Sequence, residues 1–229
     1  MERINVLDKG YVQRVGHLGS DEEFIEAARM STDGAFRGWG TPETPGDEKL
    51  MKFLWDNKHC TPFEMGNMVI EVQAPILVFR EWHRHRTQSF NELSGRYTKM
   101  PNLHYLPSVE RIMRGKQSTT NKQGSEAGFS RGVARAIQMQ MESDWEYYRA
   151  SYEYYLRLGM SRELARINTP ISQYSRMRAN ANIRNWLAFV TLRSAPDAQE
   201  EIRVYSDAVL DLLRLKFPRL VGLFEAVEV

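Results

Sequence analysis

Four arginines, two histidines and a run of small polar residues stand together between Arg80 and Met100, in the stretch REWHRHRTQSFNELSGRYTKM. Arg80, Arg84, Arg86 and Arg96 carry forked guanidinium donors that match phosphate oxygens in pairs. Ser89, Asn91, Ser94 and Tyr97 add hydroxyl and amide groups, and backbone N–H groups near Gly95 can complete such a shell. The chemistry on offer is the binding of a phosphate or a nucleotide. The plainer alternative is a solvated basic helix end, with Glu81 and Arg84 paired at i,i+3. Both readings stand on residue types alone. His83 and His85 are two apart, so on a helix they point to different sides, and the flanking arginines repel a cation. No metal site is expected there.

A second stretch, KHCTPFE, sets Cys60 beside His59. Adjacent residues need not face each other, and a lone cysteine is more often a small buried side chain than a nucleophile. Thr61, held extended before Pro62, presents its hydroxyl to a ligand or caps a turn. In a third stretch, NIRNWLAFVTLR, Trp186, Phe189, Val190 and Arg193 fall at i, i+3, i+4 and i+7, one helical stripe. Arg193 thus continues an apolar face and needs an anionic partner. That partner is a ligand or a core carboxylate, unless the side chain snorkels out at the helix end. RGKQST lacks the glycine and Lys-Ser/Thr step of a P-loop, and prolines interrupt GWGTPETPG as a dinucleotide fingerprint.

The elements that position these groups can be read in outline. INVLDKGYVQRVG reads as strand, Lys-Gly turn and strand. Ser20 and Glu23 make a capping box that opens a helix over SDEEFIEAARMS. TDGAFRGWGTPETPGDE is a loop, and DEKLMKFLWDNKH a helix stopped before Pro62. Met68, Ile70 and Val72 alternate in NMVIEVQA, the period of a half-buried strand. PILVFREWHRHR starts a helix with Pro75 in its first turn. Phe129, Val133, Ile137, Met141 and Trp145 recur every four residues and predict a long amphipathic helix. SRELARI is a further helix, SQYSRMRANA a strand, and NIRNWLAFVTLR and QEEIRVYSDAVLDLLRLKF two more helices, the last closed by Pro218. RIMRGKQSTTNKQGS is expected to be polar and mobile. The fold class is α+β, a single domain with one mainly antiparallel sheet and several long helices.

Composition narrows the function. At 229 residues with 42% hydrophobic and 26% charged side chains, the chain can bury a real core. A net charge of +2 argues against a dominating basic surface for nucleic acid. One cysteine excludes an intrachain disulfide framework and suits a reducing compartment. MERINVLDKG has no apolar signal core, and no apolar run approaches the ~20 residues of a membrane helix. The chain is expected to be cytoplasmic.

RHRTQSFNELSGRY fits the pattern RHRxxSxNxxSxR and resembles the signature of flavin-dependent thymidylate synthases. HCTPFE, ELARI, NANIRNW and TLRSAPDAQEEI resemble further blocks of that family, in the same order. The resemblance covers most of the chain, most firmly His59–Lys99 and Arg162–Ile202. It implies one such domain over residues 1–229, assembling as a homotetramer with shared active sites. It implies methylation of dUMP to dTMP, with methylenetetrahydrofolate as carbon donor and FAD carrying hydride from NADPH. By the same resemblance, Arg84, His85, Arg86, Thr61, Glu92, Asn182 and Arg184 bind FAD. Ser94, Gly95, Arg96 and Arg166 bind dUMP, with Arg84 and Glu81 also near the nucleotide. Arg193 matches the arginine that polarises the uracil ring. Some relatives have Gln where Glu81 stands, and others Asn or His where Ala188 stands. A carboxylate at Glu81 repels a phosphate unless an arginine intervenes. Ser94 has no general base at a fixed spacing and reads as a binding hydroxyl. The rival functions are a nucleic-acid-binding module using RHR and RIMRG, and an inactive assembly partner that keeps the fold.

Overall fold

The computed structural model describes residues 2–41 and 43–228. Its centre is a five-stranded antiparallel sheet made by β1 (Arg3–Val6), β2 (Gly10–Leu18), β3 (Asn67–Pro75), β7 (Tyr174–Asn182) and β4 (Ser89–Glu92), in that spatial order. The hairpin of β1 and β2 turns through Leu7 at φ 55°. Gly10 opens β2 because no side chain fits there: a Cβ would lie 1.8 Å from the Tyr205 hydroxyl, which donates to the Gln73 carbonyl at 2.7 Å. A bulge between Arg14 and Gly16 shifts the register of β2 against β3.

Burial alternates along β3 and β7. Met68, Ile70, Val72 and Ala74 of β3, with Met177, Ala179 and Ala181 of β7, face the core. Glu71, Gln73, Arg176, Arg178 and Asn180 fall on the other face, as the period of two requires. Helices α1 (Asp21–Arg29), α2 (Glu48–Asp56), α3 (Ile76–Trp82), α7 (Ile183–Arg193), α8 (Glu200–Arg214) and α9 (Pro218–Glu228) carry most of the remaining apolar contacts of that core. Ser20 caps α1 by accepting from the Glu23 N–H at 3.3 Å. A smaller cluster of Met100, Trp145, Tyr148, Tyr152 and Ala165 gathers between α5 (Arg131–Arg157) and α6 (Arg162–Ala165).

Several elements differ from the sequence reading. Helix α3 stops at Trp82, so HRHR lies beyond it, where the chain bends back to pair β4 with β7. Thr61 opens a 3-10 turn, Thr61–Glu64, instead of an extended segment. The buried row of α5 is Ala134, Trp145, Tyr148 and Tyr152, whereas Val133 and Met141 are exposed, because the helix overhangs the core that would cover them. RIMRGKQSTTNKQGS forms α4 (Val109–Met113) and a hairpin of β5 (Lys116–Gln117) and β6 (Ser125–Glu126), a second, two-stranded sheet. Pro218 both ends α8 and opens α9, whose first N–H groups bond the buried carboxylate of Asp21. Among the described residues no helix is long and apolar enough to cross a membrane.

Candidate active site

Helix α7 is fixed at both ends and along its inner face. Its cap is Asn182, whose Oδ1 accepts from the Asn185 N–H at 2.9 Å. Trp186, Phe189 and Val190 are buried, and the Trp186 indole donates to the Met68 carbonyl at 3.0 Å. Trp82, the last residue of α3, packs on Phe189 with ring centroids 4.5 Å apart. This contact brings the C-terminal ends of α3 and α7 together, and Arg193 reaches across the junction. Its Nη1 donates to Oε2 of Glu81 at 2.6 Å, its Nη2 to the Glu81 carbonyl at 2.9 Å, and its Nε to Nε2 of His85 at 2.9 Å. The partner sought for Arg193 within the chain is therefore Glu81, which is 41% exposed and no core carboxylate.

His85 packs edge-on against Phe189 at 4.9 Å. Burial first, and the Arg193 charge second, lower its pKa from 6.5 to about 4, with Glu81 opposing. It is neutral at ordinary pH. Because Nε2 accepts from Arg193, the ring proton sits on Nδ1.

Arg84 and Arg86 flank His85 and are exposed. Among the described residues neither guanidinium has a hydrogen-bond or ion-pair partner, and the same is true of Arg80. The following turn is anchored from below: Gln88 is buried and accepts from the Trp82 indole at 3.0 Å. At the edge of the sheet, Glu92 accepts from the Ser175 hydroxyl at 2.7 Å, while Asn91 is exposed.

The Ser94–Arg96 loop comes against α6. A Cβ on Gly95 would lie 2.6 Å from the Met100 sulfur and 3.0 Å from Cδ of Arg166, so glycine lets the loop backbone lie on that arginine. Arg96 bonds Glu163 at 3.1 Å, an exposed pair, and the Ser94 hydroxyl accepts from the Arg96 N–H at 3.3 Å. Ser94, Gly95, Arg96 and Arg166 thus form one group. No hydrogen bond or ion pair joins it to the Arg193 corner among the described residues.

A third group gathers at the start of α7. Arg184 pairs with Glu64 and lies beside Cys60. Thr61 is exposed next to them. An open cavity of ≈ 570 Å³ runs alongside, lined among others by Trp55, Cys60, Arg184, Leu187, Ala188 and Thr191. Sequence reasoning does not single out Glu64, Glu163 or Ser175, although Glu64 and Glu163 lie inside its marked blocks. The only signal of Glu64 and Glu163 is an unmatched arginine, Ser175 has none, and long-range pairing has no fixed spacing to reveal it.

Residues 15–219 match the family model described as thymidylate synthase complementing protein. A flavin-dependent thymidylate synthase of Anaplasma marginale is 38% identical over 223 residues, covering 97% of this chain and 74% of that protein. The enzyme of that description from Thermus thermophilus is 38% identical over 222 residues, covering 97% and 78%. The crystal structure of a UMP/dUMP methylase, PolB from Streptomyces cacaoi, bound with 5-Br dUMP superimposes with a TM-score of 0.85 at 28% identity, covering 97% of both chains. The 5-Br UMP complex gives 0.83 at 29%, covering 97% and 96%. The match in sequence spans all three residue groups, and the chain belongs to the thymidylate synthase complementing protein family.

Proposed function

We propose that the chain is a flavin-dependent thymidylate synthase over residues 1–229. It converts dUMP to dTMP, with methylenetetrahydrofolate as carbon donor and NADPH-reduced FAD as hydride source. The observation that carries this reading is the arginine arrangement around His85: Arg193 is oriented by the protein, while Arg84 and Arg86 have no partner of their own among the described residues. Oriented and waiting cations side by side suit an anionic ligand beside a reacting ring.

The residues fit FAD. Arg84 and Arg86 match its phosphates. Thr61, Arg184, Glu92 and the amide N–H groups of Asn182 offer polar contacts, since only Oδ1 of Asn182 is used in capping α7. The cavity beside Trp55 and Leu187 is large and apolar enough for part of such a ligand. When bound, FAD supplies the redox chemistry that links NADPH to the transferred one-carbon unit.

The chain's own residues supply binding and charge. Ser94, the backbone at Gly95, Arg96 and Arg166 hold the nucleotide. Arg193 donates to the uracil ring and stabilises the charge that develops there as the ring attacks the folate methylene. His85 donates from Nδ1 to the cofactor. Ala188 offers no side-chain hydrogen bond where some relatives carry Asn or His, so a flavin contact made there is missing or replaced. Four copies complete the sites: no hydrogen bond or ion pair joins the Ser94–Arg96 group to the Arg193 corner among the described residues, and α5 exposes Met139 (67%) and Tyr147 (79%), an apolar row suited to burial against another copy. A reducing cytoplasm suits the lone thiol of Cys60 and the nicotinamide reductant.

The test is anaerobic incubation of the purified protein with FAD, dUMP, methylenetetrahydrofolate and NADPH. Yellow protein and formation of dTMP are expected. A colourless protein without dTMP formation, whose DNA affinity falls steeply with salt, would replace this reading with a nucleic-acid binder.

A further inference from the structure

Arg193 is gripped at all three nitrogens. Glu81 takes both terminal ones, Nη1 through its carboxylate at 2.6 Å and Nη2 through its own carbonyl at 2.9 Å. His85 takes Nε at 2.9 Å. A guanidinium has five N–H donors in a rigid plane, so three are occupied and one on each terminal nitrogen is left. Acceptors on both sides of the group fix its direction as well as its place. We propose that Glu81 is a positioning residue for Arg193: it sets the direction of the two remaining donors and, through Arg193, the tautomer of His85, without itself touching the nucleotide. This deepens the reading above and rests on it for the identity of the nucleotide.

The arrangement explains how a carboxylate is tolerated beside an anionic substrate. A bare Glu81 would repel a phosphate. Bonded into Arg193, its charge is matched. Glu81 is the more exposed partner, 41% against 17% for Arg193, so the match comes from the protein side. Glu81 also has a backbone stake: its carbonyl accepts from the Arg84 N–H at 3.3 Å, which ties the start of the RHR turn to the same residue. His85 responds because its Nε2 can accept from Arg193 only while its proton is on Nδ1. An arginine that swings away returns His85 to the mixture of tautomers of an ordinary imidazole.

The experiment uses the full chain with ¹⁵N-labelled histidine, flavin-free for the tautomer and FAD-loaded for dUMP affinity and turnover, in the wild type and the variants Glu81→Ala and Glu81→Gln. It reads the His85 tautomer from long-range ¹H–¹⁵N spectra, dUMP affinity by equilibrium dialysis, and dTMP turnover at saturating dUMP. Glu81→Ala is expected to lose the Nδ1–H tautomer and about tenfold or more of turnover, the worth of one charge-assisted hydrogen bond. Its dUMP affinity should hold or tighten, because a negative charge has gone. Glu81→Gln keeps an acceptor in place and should keep the tautomer and most of the turnover. Wild-type tautomer and turnover in Glu81→Ala would overturn the proposal. So would tenfold weaker dUMP binding at normal turnover, the mark of a direct nucleotide contact. So would a Glu81→Gln protein as impaired as Glu81→Ala, which places the effect in charge alone. Tautomer and dUMP affinity need neither folate nor reductant. A wild type that binds dUMP and makes no dTMP therefore defeats the assigned reaction and leaves this test intact.

Discussion

The corner around Arg193 and the turn carrying Arg84 and Arg86 share His85, yet their arginines are held in opposite ways. Arg193 is largely buried and bonded at three points by the protein. Arg84 and Arg86 are exposed and have no partner among the described residues. The difference separates two jobs. A guanidinium with occupied donors has a fixed direction and suits work that depends on orientation. A guanidinium with free donors suits affinity, because an arriving anion displaces only water.

The largest expected effect tests the oriented side. Arg193→Ala should lower dTMP turnover about a hundredfold to a thousandfold, the typical ~2.7–4 kcal/mol of one oriented donor. Melting should move little, because the Glu81 left behind is half exposed and already solvated. Arg193→Lys keeps the charge and loses the fork, so it should fold, retain flavin and still turn over poorly. A large fall in melting temperature with normal activity per folded molecule would make Arg193 a structural partner of Glu81 and erase the distinction.

Next come the waiting arginines. Arg84→Ala and Arg86→Ala should each weaken FAD binding about tenfold or more, from loss of a charge-assisted donor worth ~1.5–3 kcal/mol. Flavin-free melting should be unchanged, since no side-chain hydrogen bond or ion pair among the described residues is lost. Gly95→Ala sharpens the comparison at the Ser94–Arg96 loop. Its Cβ meets the Met100 sulfur and Arg166, so overpacking of ~1–3 kcal/mol should displace Arg166 and weaken dUMP binding while leaving FAD affinity alone. Titration calorimetry with each ligand separates these outcomes.

The shared residue gives a pH prediction. His85 is neutral in the fold, with a pKa of about 4 against 6.5 unperturbed. Between those values the unfolded chain binds more protons than the folded one, so stability rises with pH. The His85 contribution is complete above about pH 6.5 and is lost as pH falls toward about 4. His85→Gln should flatten part of the melting-temperature profile in that window. His17 and His104, also lowered mainly by burial, should keep a residual slope. The smallest effect is expected of Cys60→Ala. Cys60 lies beside Arg184 and is not placed as a nucleophile in this chemistry, so dTMP formation should stay near normal.

How much of this is legible in the sequence follows from which interactions are local. The period of two in β3 and the 3-4 stripe of α7 are short-range patterns, and the structure has both. The capping box at Ser20 and Glu23 is equally local, and Ser20 caps α1. The end of α3 has no such signal, because no glycine or proline follows Trp82 before Gly95, and the pairing of β4 with the distant β7 is not local. The existence of α5 is legible in its repeat, but burial along it is not, since burial depends on how far the rest of the fold reaches. At the site, the types of donors are plain in RHRTQSFNELSGRY. That Arg193 finds Glu81, 112 residues earlier, has no local signal beyond the demand for an anionic partner.

The most direct measurement is dTMP formation as a function of added FAD for Arg84→Ala and Arg193→Ala beside the wild type. Arg84→Ala should return close to the wild-type rate as FAD saturates, because its defect is affinity. Arg193→Ala should stay about a hundredfold or more below it at every FAD concentration, because its defect is orientation at the reacting ring. Rescue of Arg193→Ala by FAD, with Arg84→Ala remaining slow at saturation, would contradict the division between oriented and waiting arginines.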